Sequence, residues 1–183
     1  MISMSGENLK NIIEALLFSS SNPLGIPEIV KVISVDKKGS RGEIKKAIED
    51  LNSEYNESGK SFFIEDVAGG YRMITRSEYA EYIKILYQVQ PSRLSKPSLE
   101  TLAIVAYRQP VIKADIEAIR GVNVDGIVKT LLEKDFIRIS GRKDVPGRPF
   151  LLATTNKFLE YFGLKDLNEL PKISELRQFS IAK

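Results

Sequence analysis

The chain has 183 residues, of which 43% are apolar and 28% are charged, the composition of one ordinary globular domain or of two small ones. It contains neither histidine nor cysteine, which excludes zinc fingers, histidine-based catalytic triads, thiol nucleophiles and disulfides. The formal net charge of +3 is small for a protein that binds nucleic acid through its own surface.

The sequence also lacks the motifs of nucleotide hydrolysis and of export. Gly121 and Gly126 have the glycine spacing of a phosphate-binding P-loop, but Ile127 and Val128 stand where a lysine and a serine or threonine are required. The N-terminus has no basic segment before its apolar stretch, and no apolar run approaches the ~18 residues of a membrane helix. No pair of carboxylates stands out as an acid–base couple. We therefore expect a cytoplasmic protein that is not an enzyme and uses no metal or cofactor.

Three helices and a β-hairpin are predicted for the first half, in chain order. Apolar spacing predicts a helix that begins near Leu9, a second helix after Pro23 and a third over residues 41–55. The runs "FFIED" and "YRMIT", residues 62–66 and 71–75, flank "VAGG" and are typical of two hairpin strands. A last short helix closes this unit.

The second half begins with the same elements. Apolar residues at helical spacing predict its first helix: Leu99, Leu102, Ala103, Ala106 and Tyr107. Pro110 ends this helix, and the pair Val111-Ile112 is expected to be extended. The order helix, break, extended pair matches the start of the first half.

Two more helices and a longer hairpin complete the second half. A short helix, "ADIEAI", has Ile116 and Ile119 facing the core, and Gly121 is expected to end it because glycine accepts a positive φ. The third helix begins at an Asn123 or Asp125 cap. It carries four apolar residues: Ile127, Val128, Leu131 and Leu132. The strand-like runs "FIRIS" and "FLLATT" then flank the loop "GRKDVPGRPF".

The two halves are related to each other. The run "YRMITRSEYAEYI", from Tyr71, aligns without gaps on "FLLATTNKFLEYF", from Phe150, and the alignment matches Tyr79 with Phe158. Three helices followed by a hairpin form a winged helix, a helix-turn-helix variant whose hairpin is a β-wing. The sequence therefore predicts an α+β, mainly helical fold of two tandem winged-helix domains.

The domain boundaries follow from composition. We assign residues 1–90 to the first winged-helix domain and residues 98–164 to the second. The polar, proline-containing stretch "QPSRLSKPS" places a linker at residues 91–97 between them. Residues 165–183 are expected to form a C-terminal tail.

Charge argues against the reading of DNA bases by either third helix. The second one, "VDGIVKTLLEKD", has two lysines against three carboxylates, and the first, "RGEIKKAIEDLNSEY", has three basic residues against four acidic ones. Helices that enter the major groove are normally basic, because phosphate contacts supply much of the affinity. Residues 1–91 have a net charge of −2 and residues 92–183 a net charge of +5. The second half is therefore the one expected to face an anionic partner.

The predicted second wing concentrates this positive charge and is stiffened by prolines. We expect five of its residues at a binding site: Arg142, Lys143, Pro146, Arg148 and Pro149. Three interpretations stay open, namely a solvated turn, a site for a protein partner and a site for DNA. The loop is longer than a simple hairpin turn, and the lack of basic third helices favours a protein partner over DNA.

Four segments of the second half occur in the order "ETLAIVAYRQP", "IRGVN", "GRKDVPGRPFLLATT" and "FLEYFGL". With them, residues 99–171 closely resemble segregation and condensation protein B, a family of winged-helix subunits associated with the kleisin of bacterial condensin. The segments "IEALLFSSSNPL" and "GGYRMITRSEY" extend the resemblance through the first half.

The resemblance implies a non-catalytic subunit of the bacterial condensin complex that acts in chromosome condensation and segregation during cell division. It implies a homodimer formed mainly through the first domains, and binding to the central part of the kleisin subunit. Through the kleisin it implies association with the SMC ATPase, at the nucleoid. The alternative is a winged-helix transcriptional regulator that binds DNA, against which the charge of the third helices argues.

With a kleisin as the partner, we expect the second wing and the nearby "YRQP" turn to form one binding site for it. The residues of this turn are Tyr107, Arg108, Gln109 and Pro110. No strong DNA binding by the chain alone and no membrane contact are expected.

Overall fold

The computed structural model describes residues 6–33, 40–88 and 94–172. Its contacts divide the chain into two compact units, Met1–Gln90 and Pro91–Lys183. Both units have the predicted order of three helices followed by a β-wing, so the fold is two tandem winged helices. No helix among the described residues is long and apolar enough to span a bilayer.

The first unit packs three helices against a two-stranded hairpin. Its elements are α1 (Gly6–Ser19), α2 (Ile26–Ile33), α3 (Arg41–Glu57), β1 (Phe62–Val67), β2 (Gly70–Thr75), a 3₁₀ turn (Ser77–Tyr79) and α4 (Ala80–Tyr87). Side chains of the first three helices and of β1 form the core: Ile13, Leu17, Ile29, Ile33, Ile44, Ala47, Ile48, Leu51, Tyr55 and Ile64.

A capping box fixes the start of α3. The Ser40 hydroxyl accepts the N–H of Glu43, and the Glu43 carboxylate accepts the N–H of Ser40. The backbone N–H of Ser40 and, to a smaller extent, its hydroxyl hold the pKa of the Glu43 carboxyl below its ordinary value by hydrogen bonding to the carboxylate. The helix therefore begins at Arg41, as the sequence predicts.

The first wing is tighter than predicted. β1 and β2 extend to Val67 and Gly70, and the turn between them has only two residues, Ala68 and Gly69, with φ of 52° and 74°. Two successive positive φ values give a turn whose twist matches that of the strands. The strands are longer because Val67 is completely buried and because Leu24 pairs with Tyr71 beside them.

The second unit has the same plan with a three-stranded sheet. Its elements are α5 (Lys96–Arg108), β3 (Val111–Ile112), α6 (Lys113–Arg120), α7 (Asp125–Glu133), β4 (Ile137–Arg142), β5 (Phe150–Thr154), α8 (Asn156–Phe162) and a 3₁₀ turn (Leu167–Glu169). The strands are antiparallel in the order β3-β5-β4. The buried core comprises Leu94, Leu102, Val105, Ala106, Val111, Ile116, Val124, Val128, Leu131, Phe136, Ile137, Leu152 and Phe158.

Two details of α6 and α7 differ from the prediction. Ile119 is 53% exposed, because the last turn of α6 packs on α5 through the Arg120 side chain, which donates to Pro97 O at 2.8 Å and pairs with Glu100 at 2.9 Å. The N-cap of α7 is Val124 rather than Asn123 or Asp125, and Asn123 instead accepts the N–H of Asp125 at 3.0 Å. Gly121 does end α6, with φ of 68°.

The ends of the second unit lie outside its predicted bounds. Leu94 is 9% exposed within the core, and α5 begins at Lys96, so residues 94–97 belong to this unit and not to the predicted linker. The rest of that linker lies in residues 89–93, outside the described part of the chain. Leu164 and Leu170 pack against the core, so the start of the predicted tail is folded, and residues 173–183 are also outside the described part.

Candidate partner-binding surfaces

The second wing is a closed, hydrogen-bonded loop between β4 and β5. The N–H of Lys143 donates to Pro149 O and the N–H of Arg148 to Val145 O, both at 2.9 Å. Gly147 has φ of 82° and Arg148 has φ of 38°. The loop is therefore shaped by its own backbone, while Pro146 at its tip is exposed.

The three basic residues of this wing have different roles. The Arg142 guanidinium lies 4.1 Å from the centre of the Phe150 ring, and its Nη1 donates to Arg148 O at 3.1 Å. Arg142 thus stabilises the base of the wing. Lys143 and Arg148 are exposed and form no ion pair with any described residue, so their charges are the ones available to a partner.

The "YRQP" turn is fixed to the rest of its unit by hydrogen bonds of the Gln109 side chain. Gln109 Oε1 accepts the backbone N–H of Thr154 at 2.8 Å and its hydroxyl at 3.0 Å, and Gln109 Nε2 donates to Ala106 O at 3.1 Å. Gln109, half-buried, therefore links α5 to β5 and does not present its amide to a partner. Its neighbours Arg108 and Pro110 are exposed.

The wing and the "YRQP" turn lie at opposite ends of β5 and are not adjacent, contrary to the prediction. Gln109 bonds to Thr154, the last residue of β5, whereas the wing precedes Phe150, its first residue. Four steps of ~3.3 Å separate the two ends, roughly 13 Å in all. The β3–β5 pairing causes this separation, because it aligns the chain after Pro110 with the middle of β5.

Tyr107 belongs to an apolar groove that the sequence analysis missed. The groove, here called the α5–α8 groove, has a volume of about 370 Å³, and the Tyr107 hydroxyl donates to Pro171 O at 2.7 Å across its edge. Ten residues line it: Leu99, Leu102, Ala103, Ala106, Tyr107, Phe158, Phe162, Leu164, Leu170 and Pro171. The row Leu99, Ala103, Tyr107, spaced by four, was the available signal, but the sequence analysis used it only to predict the helix.

The first unit exposes a second apolar surface. No side chain of α4 is buried, and four large ones are mostly exposed: Tyr82 (74%), Ile85 (76%), Leu86 (73%) and Tyr87 (68%). Phe18 on α1 is 80% exposed. It borders two cavities of about 290 and 340 Å³ between α1 and the hairpin, together called the α1–hairpin groove. Phe62 and Met73 line both cavities.

The described residues include no cluster of three or more carboxylates arranged to hold a metal ion.

Comparison with known families gives a match over residues 11–173 to the segregation and condensation complex subunit ScpB. The chain belongs to this family. As an ScpB subunit it has a non-catalytic function in chromosome condensation and segregation.

Relatives named segregation and condensation protein B match along nearly the whole chain. The protein of Syntrophotalea carbinolica is 42% identical, over 97% of this chain and 88% of its own length. That of Symbiobacterium thermophilum is 47% identical, over 90% and 73%. The alternative of a transcriptional regulator finds no support among these relatives.

Two solved structures are also similar. The crystal structure of ScpB from Mycobacterium tuberculosis is 32% identical, with a TM-score of 0.42, and the match covers 89% of this chain and 99% of that one. A crystal structure of a dimer of an ScpB N-terminal domain complexed with ScpA peptide is 28% identical, with a TM-score of 0.39, over 44% and 95%.

Proposed function

We propose that this ScpB subunit binds the kleisin of its complex through the second unit and self-associates through the first. The observation that carries the kleisin proposal is the α5–α8 groove, whose lining is apolar although it is open to solvent. Within the cell this activity would place the protein at the nucleoid in the cytoplasm. The chain itself would supply no chemistry, and ATP hydrolysis would belong to the SMC partner.

The α5–α8 groove fits an amphipathic helix. Such a helix lays residues spaced by three and four into an apolar trough and leaves its polar side in solvent. Leu99 and Phe162 are 40% and 42% exposed on opposite walls, so each has apolar surface left to bury. Fully burying one side chain of this size stabilises a complex by up to ~1.5–3 kcal/mol, and half-exposed ones contribute a part of this.

The second wing supplies a polar contact for the same partner. Lys143 and Arg148 are exposed on a loop whose backbone is already closed by two hydrogen bonds, so little conformational entropy is lost on binding. Both cations suit carboxylates, and the Arg148 guanidinium suits a bidentate contact. Arg142 is left out of this proposal because it is held by Phe150.

Self-association is proposed through the α4 surface and Phe18. Five large apolar side chains, three of them on consecutive positions, form an exposed apolar surface on one small unit. Apolar surface of this density is typical of an interface rather than of a monomer's exterior. The second unit's partner groove lies on different elements, so the two associations do not compete for the same residues.

Two matched substitutions, each replacing an alanine by glutamate, test the kleisin proposal. Ala103→Glu places a carboxylate in the α5–α8 groove, and Ala118→Glu makes the same change at an exposed helical position outside it. By calorimetry with a purified kleisin fragment, Ala103→Glu should weaken binding at least tenfold, ~1.4 kcal/mol or more, and Ala118→Glu should not. Equal affinities for both variants would exclude the groove as the site. No binding by the unsubstituted protein would overturn the proposed function itself.

A further inference from the structure

The α5–α8 groove has apolar surface left to cover. α5 lines it with two alanines, Ala103 and Ala106, whose side chains are too small to fill it. Leu99 and Phe162 on its walls are exposed, and so is Ala103. An apolar segment that enters the groove therefore removes its own surface and that of the groove from water together.

The chain itself arrives at the edge of this groove. After α8, the 3₁₀ turn is closed by Asp166, whose carboxylate accepts the N–H of Asn168 at 2.6 Å. Two residues past this turn, Pro171 lines the groove, and its carbonyl accepts the Tyr107 hydroxyl at 2.7 Å. Residues 173–183, here called the C-terminal segment, follow two positions after this contact.

The sequence of the C-terminal segment, "ISELRQFSIAK", suits the groove. Ile173, Leu176 and Phe179 recur at spacings of three with polar residues between them, a pattern typical of a helix with one apolar face. Eleven residues form ~16 Å of helix, and the eight steps of α5 from Leu99 to Tyr107 rise ~12 Å. The segment is therefore long enough to follow the groove from one end to the other.

We propose that the C-terminal segment docks into the α5–α8 groove of its own unit, with Leu176 and Phe179 as its anchors, and that the kleisin must displace it. The docking stands by itself, whereas the competition rests on the kleisin site of the proposed function. The segment is thus a built-in competitor that covers the apolar groove until the partner arrives.

A covalently attached segment has an advantage over any free occupant. Attachment at the edge of the groove gives a local concentration on the order of millimolar, so a segment of weak intrinsic affinity is still docked in most molecules. If it is docked in about three-quarters of them, about one-quarter is competent to bind, and the apparent Kd for the kleisin rises about fourfold. Docking therefore weakens kleisin binding without preventing it.

Introduced cysteines test the docking in the full chain. The sequence has no cysteine, so two introduced thiols form the one possible intramolecular disulfide. Ala103→Cys with Leu176→Cys joins the groove to the segment, and Ala118→Cys with Leu176→Cys is the matched control at an exposed position outside the groove. A disulfide requires Cα atoms within about 7 Å, so the groove pair should close roughly tenfold faster or more under mild oxidation in dilute solution. The rates are measured by thiol alkylation and non-reducing electrophoresis.

Equal rates for the two pairs would overturn the docking. A groove pair that forms disulfides between chains, and not within one, would assign the segment to the groove of a second copy and would overturn it too.

Two double substitutions in the full chain test the competition. Leu176→Glu with Phe179→Glu removes the anchors, and Ser174→Glu with Gln178→Glu adds the same charge at polar positions of the segment. By calorimetry with a kleisin fragment, the first variant should bind about fourfold more tightly than the unsubstituted chain, and the second should bind as the unsubstituted chain does.

The two results separate this inference from the proposed function. Unchanged affinity of the variant without anchors, beside the expected weakening by Ala103→Glu, would overturn the competition while the kleisin site stands. If no variant binds the fragment, the proposed function fails and the competition fails with it, whereas the disulfide rates still decide the docking.

Discussion

The side-chain amide of Gln109 stabilises the fold and is therefore not available to a partner. Thr154, whose N–H and hydroxyl it accepts, is 8% exposed, so water cannot replace the lost acceptor without entering the core. Leaving a buried donor unsatisfied costs about 1–3 kcal/mol. Within the "YRQP" turn, Gln109 is therefore the residue that stabilises the fold. Tyr107 lines the groove, and Pro110 is exposed.

We expect Gln109→Ala to lower the free energy of unfolding by about 1–3 kcal/mol in urea denaturation, because the Thr154 donors lose their acceptor. Kleisin affinity of the folded protein should stay within twofold, because the amide points inward. Arg108→Ala, at the exposed neighbouring position, should change stability by no more than about 0.5 kcal/mol. A stable Gln109→Ala protein with weakened kleisin binding would make Gln109 a contact residue after all.

At the scale of elements, the second wing combines a fixed backbone with two free charges. The order of helices and strands was predictable because apolar periodicity and the break at Pro110 are local properties of the chain. Ile119 was placed wrongly because the position of Arg120 against α5 depends on a contact with residues about twenty positions away. The α5–α8 groove was missed for the same reason: which face of α5 stays open depends on where α8 packs.

The wing prediction uses a double charge reversal. Lys143→Glu with Arg148→Glu should leave the melting temperature almost unchanged, because exposed charges contribute little to folding. Kleisin binding measured by calorimetry should weaken at least tenfold, ~1.4 kcal/mol, through repulsion of partner carboxylates. Arg142→Ala is the contrasting variant and should loosen the wing by loss of the Phe150 contact. Unchanged affinity of the double variant would leave the wing a structural turn.

The whole molecule is two units of one plan, each with its own core. Each unit has fewer than a hundred residues, and domains of this size bury a limited share of their surface and gain stability from association. In the first unit the α4 surface offers such an association, whereas in the second unit α8 is already packed. The two-unit plan was predictable from the repeat, whereas the surfaces that each unit exposes depend on how its last helix packs and were not.

Separately expressed halves test this division. Residues 1–90 and 91–183 should each fold cooperatively, because their cores share no buried residue. Light scattering should give a dimer for the first fragment and a monomer for the second. A monomeric first fragment beside a dimeric second one would move the interface to the second unit.

β5 acts as a spacer of fixed length. Its first residue adjoins the wing and its last residue is joined to the "YRQP" turn, so the two ends are held roughly 13 Å apart by the strand itself. A partner segment that touches both ends must match that span, which corresponds to roughly nine residues of α-helix or four of extended chain. Under the proposed kleisin binding, the spacing between the partner's contact at the wing and its contact at the turn would be set by the five residues of this strand.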